Sequence, residues 1–116
     1  MENLATIQSA KVIDFEDAMD RFGEDEALFR RLAGKFTSNT HLAELKKALS
    51  DNDLDAAYRA AHSLKGVAGN LSFAKLYHIA CIVSKALETG DRTIADEWMS
   101  PLEDAYVEVM NALPKL

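Results

Sequence analysis

Apolar and polar positions along this chain recur with the period of a helix. Apolar residues return every three or four positions, and no alternating stretch is long enough for a β-strand. Gly23 with Asp25, the run Ser50-Asp51-Asn52-Asp53, Gly69-Asn70 and Gly90-Asp91 each join a stop signal to an N-cap candidate. The pattern predicts a short helix over 15–22, capped by Asp14 and closed by Gly23. Asp25 opens the next, with Leu28, Phe29, Leu32 and Phe36 on one side and Leu42, Leu45 and Leu49 further on. At about 100° per residue these two stripes do not share a face. The expectation is one long helix whose halves pack on different neighbours or which bends at 37–40, its first half meeting the N-terminal helix.

A third helix is expected over 54–71. A fourth starts near Ser72 and buries Leu76, Ile79, Ala80, Val83 and Leu87. The last covers 92–113, with Trp98, Leu102, Tyr106, Val109 and Leu113 in a stripe. Ser100-Pro101-Leu102-Glu103 inside it reads as a capping box with proline at the first position, so a kink or restart is expected there. Four sizeable helices with short connections imply an all-α fold, an antiparallel up-and-down four-helix bundle with an additional short N-terminal helix. One domain over residues 1–116 is expected at this length.

Charge and cysteine narrow the function classes. Acidic residues outnumber basic ones 19 to 13, a net charge of −6, which makes a poor nucleic-acid binder. With Cys81 the single cysteine, no internal disulfide and no cysteine-based zinc site can form. No two of the three histidines stand at ligand spacing, so no metal site is expected. Met1-Glu2-Asn3-Leu4 has no basic segment leading into an apolar run, and no apolar stretch is long enough to span a bilayer. A cytoplasmic, monomeric protein is the expectation. Asp51, Asp53 and Asp55 are expected to serve as caps and first-turn acids, not as a calcium loop. His41 and His78 are read as structural or solvated, Cys81 as a small core residue, and Trp98 and Met99 as packing.

The third helix carries the chemistry. With His62 at zero degrees, Ala60, Leu64, Val67 and Leu71 fall opposite it, at about 140–200°. Asp55, Tyr58, Arg59, Lys65, Gly66 and Gly69 fall within about 60° of it, so His62 centres the solvent face. Gly66 costs a helix about 1 kcal/mol relative to alanine, and the apolar pattern continues past it. A residue without a side chain beside an exposed imidazole lets another surface approach the ring. Arg59 and Lys65 flank the histidine in an otherwise acidic chain. Imidazole in water titrates at about 6.5, and its uncharged form is a nucleophile. Neighbouring cations suit an event that adds negative charge to it.

The stretch Ala61-His62-Ser63-Leu64-Lys65-Gly66-Val67-Ala68-Gly69-Asn70-Leu71 resembles the signature of histidine-containing phosphotransfer (HPt) domains. Their pattern, His-x-Leu-Lys-Gly-x-Ala-x-x-Leu-Gly, is met at every fixed position but the last, where Ser72 stands. Phe15-Glu16-Asp17-Ala18 and Gly23-Glu24-Asp25-Glu26-Ala27-Leu28-Phe29 resemble the family's N-terminal segment, and the likeness covers about residues 13–112.

The resemblance implies a passive carrier in a multistep phosphorelay. His62 would take a phosphoryl group from an aspartyl-phosphate receiver domain and hand it to another. Lys65 would neutralise the phosphoryl oxygens, Gly66 and Gly69 would admit the partner, and Arg59 would serve docking or charge balance. The implied partners are response-regulator receiver domains and a sensor or hybrid histidine kinase. The chain would need no cofactor of its own, since Mg²⁺ comes with the receiver. Ser84 stands where many members carry Gln or Glu to orient the ring, and Ser72 is expected to cap the following helix. Two other readings compete. A receiver-docking module that carries no phosphate would show an altered histidine face, yet His62 and Lys65 are intact. A histidine kinase would need an ATP-binding domain for which 116 residues leave no room.

Overall fold

The structure, a computed structural model, describes Ile7 and residues 9–116; the reading of residues 1–4 lies outside them. It contains α1 (Phe15–Arg21), α2 (Glu26–Gly34), a 3₁₀ turn (Lys35–Ser38), α3 (His41–Ser50), α4 (Leu54–Asn70), α5 (Ala74–Glu88) and α6 (Arg92–Ala112), ending in a second 3₁₀ turn (Leu113–Lys115). Among the described residues there is no strand, and no helix is long and apolar enough to cross a membrane. The fold is an all-α bundle in which α4 packs on α3 and α5, and α5 on α6.

The N-caps follow the sequence. Asp14, Asp25, Asp53 and Asp91 each accept a backbone N–H three residues on, at 3.0–3.1 Å. Each satisfies one donor that the first helical turn leaves unpaired.

Three tight connections build the bundle, and all have one form. At 51–53, 71–73 and 89–91 the central residue, Asn52, Ser72 or Gly90, takes a positive φ of 55°, 60° or 77°. The next residue donates its N–H five residues back: Asp53 to Ala48, Phe73 to Ala68, Asp91 to Ala86, at 2.7–2.9 Å. The end of one helix is thereby closed by the residue at the N-cap of the next. Turns this short favour antiparallel packing of consecutive helices.

The second predicted helix is two. Asn39 is extended (φ −68°, ψ 136°) and separates the 3₁₀ turn after α2 from α3. Its side-chain oxygen accepts the N–H of His41 at 3.0 Å, and its carbonyl accepts the Tyr106 hydroxyl at 3.1 Å. The two non-coincident apolar stripes are therefore met by a break, which lets Phe36 turn inward against Phe73 and Tyr106, with ring centroids 5.1 and 5.2 Å away. At the other end of the chain, α6 runs through Pro101 without restarting.

Phe29, Leu45, Leu64, Phe73, Leu76, Ile79, Val83, Leu102 and Val109 fill the centre. Each large side chain so buried stabilises by about 1.5–3 kcal/mol. Cys81 is half-buried beside Ile82 and Trp98, not enclosed in this core. The ring of helices is closed by Lys46 to Glu103 at 3.1 Å and by Arg92 reaching Asn52 and the Leu49 carbonyl, both at 3.1 Å.

Candidate functional site

α4 is positioned by its small residues. Ala57, Ala60, Ala61, Leu64 and Ala68 form its buried face, and four of those five are alanines that let neighbouring helices come close. This arc is turned by some tens of degrees from the one the sequence predicts, so Ala61 and Ala68 are enclosed and Val67 only half-buried. His62 and Ser63 remain exposed on the outer side of the helix, near its middle.

On this face each predicted residue has a distinct environment. Arg59 is ion-paired with Asp55 one turn back, both well exposed, so its charge is balanced within the helix. Lys65 is half-buried, and among the described residues no carboxylate pairs with it. It borders a cleft of about 410 Å³ shared with Asp17, Arg21, Asn70, Ser72 and Tyr77. Hydrogen bonds from Arg21 and then from Ser72 hold the Asp17 carboxyl below its usual range, so this wall of the cleft stays anionic.

The two glycines differ. A Cβ placed on Gly66 would meet nothing within 4 Å, while one on Gly69 would lie 3.0 Å from Cδ1 of Tyr77 on α5. Packing inside the chain therefore accounts for Gly69 and leaves Gly66 without an internal reason. Gly69 against Tyr77 also sets the register of the antiparallel pair. Ser84, seven residues further along α5, comes level with His62, seven residues back along α4. Ser84 is 3% exposed, whereas the imidazole is out in solvent. Among the described residues no protein group hydrogen-bonds a ring nitrogen of His62.

Ser72 does not cap α5. It is the positive-φ residue of the 71–73 turn, and its hydroxyl donates to Asp17 at 2.7 Å. The first turn of α5 finds its acceptor elsewhere, the Lys75 N–H donating to the Lys11 carbonyl at 3.0 Å. With the Asp14 N–H donating to the Ser72 carbonyl at 2.8 Å, three bonds strap the segment 11–17 across this turn.

A family model for the Hpt domain matches residues 35–112. The chain belongs to the Hpt domain family. The match takes in α3 to α6 and every residue singled out on the histidine face, and leaves α1 and α2 outside. Searches of curated proteins and of solved structures yield no match. The positive φ of Ser72, at the closing position of the motif, is a conformation that glycine adopts without strain.

Sequence reasoning put Tyr58 on the histidine face without giving it a role, and it missed the part of Asp17 and Arg21 in the cleft. Tyr58 lies against the imidazole, ring centroids 5.7 Å apart and planes inclined by 33°; its signal was the four-residue spacing to His62. Arg21 and Asp17 border the cleft beside Lys65, and they had no sequence signal because α1 arrives there by tertiary docking. His41 is held by Glu44 at 2.9 Å, and Asp51 by Lys47 at 2.9 Å, both structural roles.

Proposed function

We propose that this Hpt domain is a phosphoryl carrier with His62 as its acceptor. A lone pair of the neutral imidazole, at Nε2, attacks the phosphorus of an aspartyl phosphate on a receiver domain. The new P–N bond forms as the P–O bond to the aspartyl carboxylate breaks, and the carboxylate leaves as an anion. A second receiver aspartate reverses the exchange. Mg²⁺ comes with the receiver and offsets charge on the transferring group.

The chain's own residues supply access and charge. Gly66 leaves the ring uncovered on the side toward the C-terminus of α4, so a receiver can close over it. Lys65, with no carboxylate partner among the described residues and one turn from His62, meets the phosphoryl oxygens. Gly69 acts at one remove, by seating Tyr77 and fixing α5 against α4. Arg59, already paired with Asp55, balances charge at the rim. Ser84 is too short and too buried to hold the ring as a longer side chain would. The partners in this reading are response-regulator receivers and a sensor or hybrid histidine kinase, met in the cytoplasm by a monomer.

The observation that carries the reading is Gly66, a glycine in a helix interior with open space where its side chain would be, beside an exposed histidine. The test is a two-step transfer. The protein is mixed with a phosphorylated receiver domain, separated, and then offered to an unphosphorylated receiver with Mg²⁺. Label that moves onto this chain and then off it is the expected result. Receiver binding without label would make it a docking module instead.

A further inference from the structure

We propose that Tyr58 is a positioning residue for the His62 imidazole, doing by ring contact what a hydrogen-bonding side chain from α5 cannot do here; this rests on the carrier reading above. Side chains on a helix lean toward its N-terminus, so the imidazole of His62 lies over the preceding turn, where Tyr58 stands. The two rings meet there, with centroids 5.7 Å apart and planes inclined by 33°. Tyr58 is itself half-buried and packs against the core, so it offers the imidazole a fixed surface and not a second mobile ring. Ser84, level with His62 on α5, ends two bonds from its own backbone and is enclosed.

An exposed histidine with neither contact samples several rotamers, and only part of that population presents Nε2 to a docked receiver. The contact with the Tyr58 ring restricts the rotation of the imidazole. The contact needs the aromatic ring and not the phenol hydroxyl. It acts on the rate of transfer within the complex and not on how tightly the receiver docks.

The experiment compares Tyr58→Phe and Tyr58→Leu with the wild type. It reads single-turnover transfer at varied receiver concentration and the imidazole proton shifts of His62 by NMR. Melting curves establish that both variants are folded. Tyr58→Phe should transfer at the wild-type rate. Tyr58→Leu should lower the saturating transfer rate roughly three- to tenfold, with the half-saturating receiver concentration unchanged. The imidazole protons should lose their ring-current displacement in Tyr58→Leu and keep it in Tyr58→Phe. A Tyr58→Leu protein with a wild-type saturating rate, or one altered only in half-saturation, would overturn the positioning role. Equal losses in both variants would overturn the claim that the ring matters. A wild type that accepts no label would instead refute the carrier reading.

Discussion

Gly66 and Gly69 are the same residue type, three positions apart on one helix, yet opposite physics keeps them there. Replacing Gly66 by alanine adds a methyl group in open space and removes a helix penalty of about 1 kcal/mol. Gly66→Ala should therefore melt a few degrees higher than the wild type while losing roughly tenfold or more in phosphoryl transfer. Gly69→Ala must push a methyl group against the Tyr77 ring at 3.0 Å, and it should melt below Gly66→Ala. Paired thermal melts and transfer rates check this; a Gly66→Ala protein that is stabilised and fully active would remove the case for an access glycine. At this scale the sequence was informative where chemistry is local. His62, Lys65 and Gly66 share a face by helical arithmetic alone. The packing of Gly69 against Tyr77 had no such local signal, because Tyr77 comes from the far side of a turn.

Among the elements, the 71–73 turn joins the motif helix to α5 and also anchors α1. A non-glycine residue at positive φ costs about 1 kcal/mol or more, and the Ser72 hydroxyl offsets part of that by binding Asp17. Ser72→Ala keeps the strain and loses the bond, whereas Ser72→Gly loses both. Ser72→Ala should be the less stable of the two in urea unfolding, by about 1 kcal/mol. The same contact sets an acid limb. The Asp17 carboxyl, depressed by Arg21 and then by Ser72, contributes stability above its unfolded value of 3.8 that is lost as pH falls through the lower folded value. Asp17→Asn should flatten that limb in melts between about pH 5 and 2; an unchanged limb would show that Asp17 does not generate it. Helix positions and caps were legible because aspartates, glycines and apolar spacing are local signals. The break between α2 and α3 was legible only as one of two readings, a bend at 37–40, because Asn39 is held extended partly by the Tyr106 hydroxyl from 67 residues away.

For the molecule as a whole, α6 must return to α3, and exposed ion pairs such as Lys46–Glu103 contribute little to that closure. The Tyr106 bond to the Asn39 carbonyl is better sheltered, and burial raises the phenol above its ordinary value of 10.0. Its contribution is complete below the unfolded value and disappears as pH rises through the folded one. Tyr106→Phe should lose about 1 kcal/mol at neutral pH and a smaller amount above pH 10, as read by chemical unfolding at both. The closed bundle buries its core without using the outer face of α4. A phosphoryl group on His62, as proposed, would therefore leave the packing unchanged.

The decisive measurement locates the phosphate on the chain. Wild type and His62→Gln, both shown to be folded, are incubated with a phosphorylated receiver, and the label they carry is challenged with acid and with base. Carriage by His62 predicts label on the wild type alone, lost in acid and kept in base, as a phosphorus–nitrogen bond requires. Label that persists on His62→Gln, or that survives acid, would put the phosphate on another residue and contradict it.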